Sequence, residues 1–510
     1  MHVIQIGEHC WKEAEQLPAD VQWLFRRGTD ILFEKEEIDT RSAVPKTFEV
    51  VILDGPIDSG NLPAIREMGA PYTYFYTDNL YFTNEIKALL LEKQASHLDY
   101  SELETFVKSI PARYFDGQHG SKLHPKNICV SREFISSTVL DGNRAMIIHA
   151  EFGSDFVPVA SWRHNMFVDQ GKAIELWLEH YKTDGIDLQL RVNVYRRGGT
   201  GTLESSAVYS EKDLREMIII KGGRFGNYVG VELLAKGAGT IELGPLHFRA
   251  SRLGAGQFLV GGRRHCFDKG QEFISYFNPG DRKPPLNVYF SGYRTAEGFE
   301  GYFIMNSMKS PFLLIGDPRL EGGAFYLGSK EFEDGIVNVI QGALDELGFT
   351  KDDLILSGMS MGTFGAVYYG SVLEPHAVII GKPLMNLGDV AVNEKRLRPG
   401  GFPTSLDVLR SNTGGNGPEH VAALNKHLWD RFDAADFSNT EFAIGYMFQD
   451  DYDINGFPDI LEHLRRRRVV IVSKGMEGRH NDNTSGIVHW FMSQYRRIIR
   501  TDFGREVSSL

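Results

Sequence analysis

The chain is 510 residues long with 42% hydrophobic and 24% charged residues, which predicts a soluble globular protein of two to four domains. Its formal net charge of −12 and pI near 5.8 argue against a primary nucleic-acid binder. Three widely spaced cysteines, Cys10, Cys129 and Cys266, suggest neither a disulfide framework nor a metal site, which fits a reducing compartment. The amino terminus lacks the basic region and apolar core of a signal peptide, and no apolar stretch approaches the ~20 residues that span a bilayer, so the expected location is cytoplasmic.

Residues 1–125 mix short apolar runs at 3–6, 50–53 and 72–76 with helical spacing at 84–92 and 102–109. This alternation predicts a small α/β layer domain of Rossmann type. Gly7 follows the first run without a Gly-x-Gly-x-x-Gly pattern, so no nucleotide site is expected there. Residues 126–258 have a different texture. Apolar and polar residues alternate at 145–150, 174–180, 188–195, 217–220, 229–234 and 239–248, separated by turns such as Arg197-Gly198-Gly199-Thr200-Gly201. That spacing predicts an antiparallel β-sandwich, of the carbohydrate-binding kind in its general form. Trp162, Trp177, Tyr181 and Tyr195 are the aromatics able to stack on a sugar. Single tryptophans in strands usually fill the space between sheets, and core packing is the expectation adopted for them.

Residues 259–510 carry the chemistry. Apolar runs at Leu286–Phe290, 312–315, 354–356 and Ala377–Gly381 alternate with a helical pattern at 335–347, as in an α/β-hydrolase-like domain. The third run leads into Gly358-Met359-Ser360-Met361-Gly362, the Gly-x-Ser-x-Gly pattern of a nucleophile elbow. Both glycines are needed because the serine stands on a turn too tight for a Cβ two residues either side. Residues 384–438, rich in glycine and asparagine, read as an irregular, partly helical insertion placed to act as a lid.

An elbow of this kind requires an acid and then a histidine, each beyond a later strand. Residues 441–448 predict a buried strand running into Gln449-Asp450-Asp451-Tyr452-Asp453, and 469–473 predict a second, followed by Gly478-Arg479-His480. His480 would take the proton of Ser360 and the acid would hold its tautomer. Asp450 is chosen because it comes first after the strand, with Asp451 and Asp453 still open. The oxyanion donors expected are the N–H of Met361 and that of Gly292 or Tyr293, in the loop after Leu286–Phe290. No metal and no cofactor are expected. The run Arg465-Arg466-Arg467-Arg468 reads as a solvated helix end.

The full-length order of α/β segment, sandwich and hydrolase-like domain resembles the second type of accessory Sec system protein of Gram-positive bacteria. The most specific residues are the elbow, Tyr446-Met447-Phe448-Gln449-Asp450-Asp451-Tyr452-Asp453 and Gly478-Arg479-His480-Asn481-Asp482. The resemblance implies export of serine-rich-repeat glycoprotein adhesins together with other accessory Sec proteins and the accessory motor ATPase, at the inner face of the membrane. It also implies O-acetylation of N-acetylglucosamine on the adhesin, with Ser360, Asp450 and His480 as the catalytic residues. The same residues would serve a serine esterase. A reading from a different class is a secretion scaffold that retains the fold with a vestigial triad.

Overall fold

The computed structural model describes residues 1–11, 17–29, 47–163, 166–198 and 201–506, so Gly199 and Thr200 of the expected glycine-rich turn lie outside the described residues. Three sheets follow one another along the chain. The first has five parallel strands in the spatial order Gln22–Arg26, His2–Gly7, Val50–Asp54, Tyr74–Tyr76 and Ser96–His97. This is a doubly wound arrangement, with the first strand inside. Side chains alternate across it, with Val3, Val50 and Ile52 in one apolar cluster and Ile4, Ile6, Val51 and Leu53 in another. The helix expected at 84–92 is Asn84–Glu92, opened by the Thr83 hydroxyl accepting the Ile86 N–H at 3.2 Å. Gly7 is a close-approach residue, since a Cβ there would lie 2.6 Å from the Asp54 carbonyl oxygen.

The second sheet has ten strands. The expected strand at 145–150 is the start of the 18-residue strand Ala145–Trp162, and those at 229–234 and 239–248 are one 24-residue strand, Asn227–Ala250. Gly237 and Gly239, at φ +93° and +147°, bend the long strand where the sequence suggests a break. Its first half pairs with Ile186–Arg196 and its second with Ala173–Lys182. Val229, Val231 and Leu233 from one half meet Ile241, Leu243 and Leu246 from the other in a single core. The layers therefore arise by folding one antiparallel sheet. Trp162 and Trp177 are buried, as core packing requires, while Tyr181 is exposed and Tyr195 half-buried, so the core expectation does not extend to these two tyrosines. Gly120–Leu123, placed by the sequence reading in the first unit, pairs with residues 246–249 of this sheet.

The third sheet runs Arg263–Phe267, Gln271–Asn278, Phe312–Gly316, Leu286–Phe290, Leu354–Met359, Ala377–Gly381, Glu441–Met447, Val470–Met476. Its last six strands are parallel. The central ones are buried along their whole length, as unbroken apolar runs require. Val470–Met476 differs from expectation. It is an edge strand, and Val470 is 59% exposed. The insertion also differs, being built of the helices Leu387–Arg396, Ser405–Thr413 and Pro418–Ala434. Pro418 starts the last of these, and Leu424, Leu428 and Phe432 form its buried stripe.

Candidate active site

Leu286–Phe290 lies between Phe312–Gly316 and Leu354–Met359, so the chain order reverses here and the loops after Leu286–Phe290 and Leu354–Met359 share one crevice. Such a switch point is where open α/β sheets place ligands. Ser360 ends the elbow strand at φ +53° and ψ −122°, a conformation that L-residues rarely adopt. The backbone leaves no alternative to glycine on either side. A Cβ at Gly358 would lie 2.3 Å from the Gly362 carbonyl oxygen, and one at Gly362 would lie 2.1 Å from that of Phe290. The Ser360 N–H donates to the Gly381 carbonyl at 2.9 Å, pinning the turn to the next strand.

Ser360 Oγ lies 2.8 Å from His480 Nε2, and His480 Nδ1 lies 2.8 Å from Asp450 Oδ2. His480 and Asp450 are only 2% and 6% exposed, so water does not compete for the contact between them. An ionised Asp450 can only accept, which puts the imidazole proton on Nδ1 and leaves Nε2 to accept from Ser360. The other carboxylate oxygen of Asp450 takes the Tyr452 and Asp453 N–H groups at 3.0 and 3.2 Å, which locks its rotamer. The Tyr452 ring and the imidazole stand nearly perpendicular, 4.6 Å apart between centroids.

The two neighbouring acids are committed elsewhere. Asp451 accepts the His480 N–H at 3.1 Å and pairs with Arg398 at 2.7 Å. Burial pushes its carboxyl up, but these two partners outweigh burial and hold it below the ordinary value. Asp453 accepts the Met385 and Asn386 N–H groups at 2.7 and 2.8 Å, and burial raises it above the ordinary range. Lys382, in left-handed backbone at φ +59°, donates to the Asp482 carbonyl and the Thr484 hydroxyl, each at 3.1 Å, and so steadies the far end of the histidine loop.

The sequence-predicted oxyanion donors divide. The Gly292 N–H is already given to the Glu300 carboxylate at 2.6 Å. The N–H groups of Met361 and Tyr293 have no acceptor among the described residues. Met361 is the first residue of the buried helix Met361–Leu373, whose N-terminal N–H groups and dipole favour negative charge. Glu300, Lys382 and Arg398 were missed by sequence reasoning. An acid between Gly298 and Gly301, a lysine after a strand and an arginine in an insertion carry no motif that marks them. Among the described residues no group of three or more metal-ligating side chains occurs and the three cysteines are free. No helix among them is long and apolar enough to cross a membrane. Two clefts of about 750 and 790 Å³ lie between the sheets, and Ser360 lines neither.

Comparison with known proteins covers the whole chain. The family described as "Accessory Sec system GspB-transporter" matches residues 1–505. An accessory Sec system protein of Staphylococcus aureus (strain NCTC 8325 / PS 47) is 39% identical over 99% of this chain and 97% of its own length. Its counterpart from Streptococcus gordonii is 37% identical over 99% of both. A chain of the solved Glycosylation Associate Protein (Gap123) complex from Streptococcus agalactiae superposes with a TM-score of 0.89 at 38% identity, covering 99% of each chain. With a family match over nearly all of its length and two relatives above 30% identity, this chain belongs to the GspB-transporter family of accessory Sec system proteins.

Proposed function

We propose that this chain is a component of accessory Sec export and also a serine-dependent O-acetyltransferase, acting on N-acetylglucosamine of a serine-rich-repeat adhesin. Family membership supports the export role. The Streptococcus agalactiae relative comes from a complex, which supports a reading in which this chain joins other accessory proteins, with the motor ATPase and the glycosylated adhesin as further partners. The acyltransferase reading rests on one observation, the unbroken contact from Ser360 Oγ through His480 to Asp450 at 2.8 and 2.8 Å.

In this mechanism Ser360 Oγ attacks the carbonyl carbon of an acyl donor while its proton passes to His480 Nε2. Asp450 stabilises the imidazolium. The N–H groups of Met361 and Tyr293 receive the oxyanion, each contributing about 2.7–4 kcal/mol to the transition state. Collapse expels the donor's leaving group with the proton from His480, leaving the acyl group on Ser360. A sugar hydroxyl then attacks that ester, its proton goes to His480 and on to the departing Ser360 oxygen, and the free serine returns. Water in place of the sugar makes the same site an esterase.

A fluorophosphonate probe should label Ser360 in the native protein and leave Ser360→Ala unlabelled. Intact-mass analysis of adhesin made with and without the chain should differ by whole acetyl groups. A folded protein that resists the probe and leaves adhesin mass unchanged overturns the acyltransferase reading. The scaffold reading is supported by the first two sheets, which supply no member of the Ser360–His480–Asp450 chain. Adhesin secretion should therefore survive Ser360→Ala and fail on deletion of the protein.

A further inference from the structure

Glu297 lies on the loop that carries Gly292 and Tyr293, and its carboxylate reaches into a buried charge cluster. It is 3% exposed. Its Oε2 accepts Arg249 Nε at 2.6 Å, its Oε1 meets His247 Nδ1 at 2.5 Å, and Lys122 Nζ stands 3.5 Å away. Arg249 and His247 belong to Asn227–Ala250 and Lys122 to Gly120–Leu123, both strands of the antiparallel sheet. Glu272, from the third sheet, accepts Arg249 Nη1 at 3.2 Å and Arg264 Nε at 2.6 Å. Glu179 closes the far side on His247 Nε2 at 2.8 Å.

Stability alone gives no reason for such a cluster. Ionised groups are expensive to take out of water, and well-packed apolar residues in their place are often as good or better. What paired charges supply is a defined position, and the same loop is held at several further points. The Glu297 N–H donates to the Gly120 carbonyl at 3.2 Å. The Gln118 side chain clasps Phe299, accepting its N–H at 2.6 Å and donating to its carbonyl at 3.1 Å. Glu300 accepts the Gly292 N–H while its own N–H goes to Ser291 Oγ at 3.1 Å. Lys122 also donates to the Pro318 carbonyl, on the loop whose Gly322 lies against the Tyr293 ring. Free oxyanion donors work only when held to about 0.5 Å, and nothing within the 291–301 loop itself is regular secondary structure until Tyr302–Ser307.

We propose that the antiparallel sheet sets the oxyanion loop, with Glu297 and Arg249 as positioning residues for the Tyr293 N–H. This rests on the serine acyltransferase reading for its kinetic consequence and on geometry alone for its structural one. The full chain carrying Glu297→Gln, which keeps size but removes charge and turns one of the two acceptor oxygens into a donor, should turn over p-nitrophenyl acetate with kcat lowered about 10- to 100-fold and KM within about twofold, since an oxyanion donor acts on the transition state. Hydrogen exchange should quicken in the peptide spanning 286–302 and stay unchanged at 354–373. A folded Glu297→Gln protein with native kcat and native exchange overturns the proposal. Native protein that neither turns over nor labels at Ser360 overturns the acyltransferase reading instead, and the exchange comparison still decides whether the loop is clamped. If Glu297→Gln does not fold, Gln118→Ala removes the clasp on Phe299 without touching a charge. It should show the same pattern at smaller size, and native values in both measurements overturn the proposal.

Discussion

The first sheet is parallel, as are the last six strands of the third, and both gather polar side chains at the carboxyl ends of central strands. In the first sheet Asp54 accepts Gln5 Nε2 at 3.0 Å, Thr77 Oγ1 at 2.7 Å and Asn79 Nδ2 at 3.3 Å, and takes the Tyr100 hydroxyl as well. Gln5 Oε1 is used by the Trp11 N–H at 2.9 Å and by Trp23 Nε1 at 3.3 Å. Every strong acceptor in that cluster is occupied from within. In the third sheet Ser360 Oγ has one partner, His480, and the N–H groups of Met361 and Tyr293 have no protein acceptor among the described residues. The place in the fold is the same, and what separates the two is hydrogen-bonding capacity left over for a ligand.

The largest effect is expected at Ser360. Ser360→Ala should lower acyl transfer by about 10⁶-fold, because serine and histidine act as one unit, with the thermal midpoint little changed, since one hydroxyl leaves and no cavity forms. Asp450→Asn comes next, with a loss of about 10⁴-fold from the wrong imidazole tautomer. Asp451→Asn should not reproduce that loss, because its carboxylate meets the His480 backbone and not the ring. A fall at Asp451 equal to that at Asp450 would move the acid along the turn. The mirror experiment is Asp54→Ala in the first sheet. It should leave turnover untouched and cost about 1–3 kcal/mol in chemical denaturation by stranding buried donors; a loss of activity there would mean that the first sheet reaches the site.

Acid and base sharpen the contrast at the cluster that joins the second and third sheets. The Glu272 carboxyl is fully buried, and although burial pushes it up, Arg249 and Arg264 hold it at about 2 against an ordinary 4.5. Its contribution to stability is complete above the ordinary value and is lost as pH falls towards 2. Burial disfavours charge on His247, yet Glu297 and Glu179 raise it above 6.5, so its contribution is complete below 6.5 and is lost as pH rises through the raised value. Thermal midpoints should be highest between these limits. Glu272→Gln should flatten the acid limb and His247→Gln the alkaline one, and limbs unchanged in both variants would remove the cluster from the pH response.

Much of the third sheet is legible in the sequence because its central strands are unbroken apolar runs and each polar residue of interest follows one directly. Leu286–Phe290 and Ala377–Gly381 have the bounds their apolar runs suggest. Ser360, Asp450 and His480 lie in contact for the same reason, since adjacent parallel strands end side by side. Other features leave no local trace. Gly237 and Gly239 look like a break between strands because a bend inside one long strand and a turn between two ask for the same residue. Whether Val470–Met476 is central or at the edge depends on what pairs beside it. Gly292 reads as a free donor because the carboxylate that occupies it, Glu300, belongs to a loop with no periodicity. Glu297 and Arg249 are set by contacts across sheets, which local patterns do not encode.

The smallest effect is expected at Arg398, where the insertion meets the histidine loop. Its guanidinium pairs with Asp451 Oδ2 at 2.7 Å and lies 5.3 Å above the Tyr452 ring. Asp451 Oδ1 in turn takes the His480 N–H at 3.1 Å, and Tyr452 donates its hydroxyl to the Gly401 carbonyl at 2.7 Å. The insertion thus reaches His480 through Asp451 and Tyr452. Arg398 and Asp451 are 24% and 15% exposed at their side chains, so solvent screens part of the attraction. A pair of this kind contributes up to about 1 kcal/mol, or about fivefold in rate if all of it bears on the imidazole. Arg398→Met keeps the aliphatic stem and removes the charge, and should lower kcat about two- to fivefold. Arg398→Lys should fall between the two, because an ammonium cannot reproduce the fork and stacks less well on Tyr452. A loss as large as that of Asp450→Asn would place Arg398 against the substrate, and native kcat in Arg398→Met would separate the insertion from the histidine altogether.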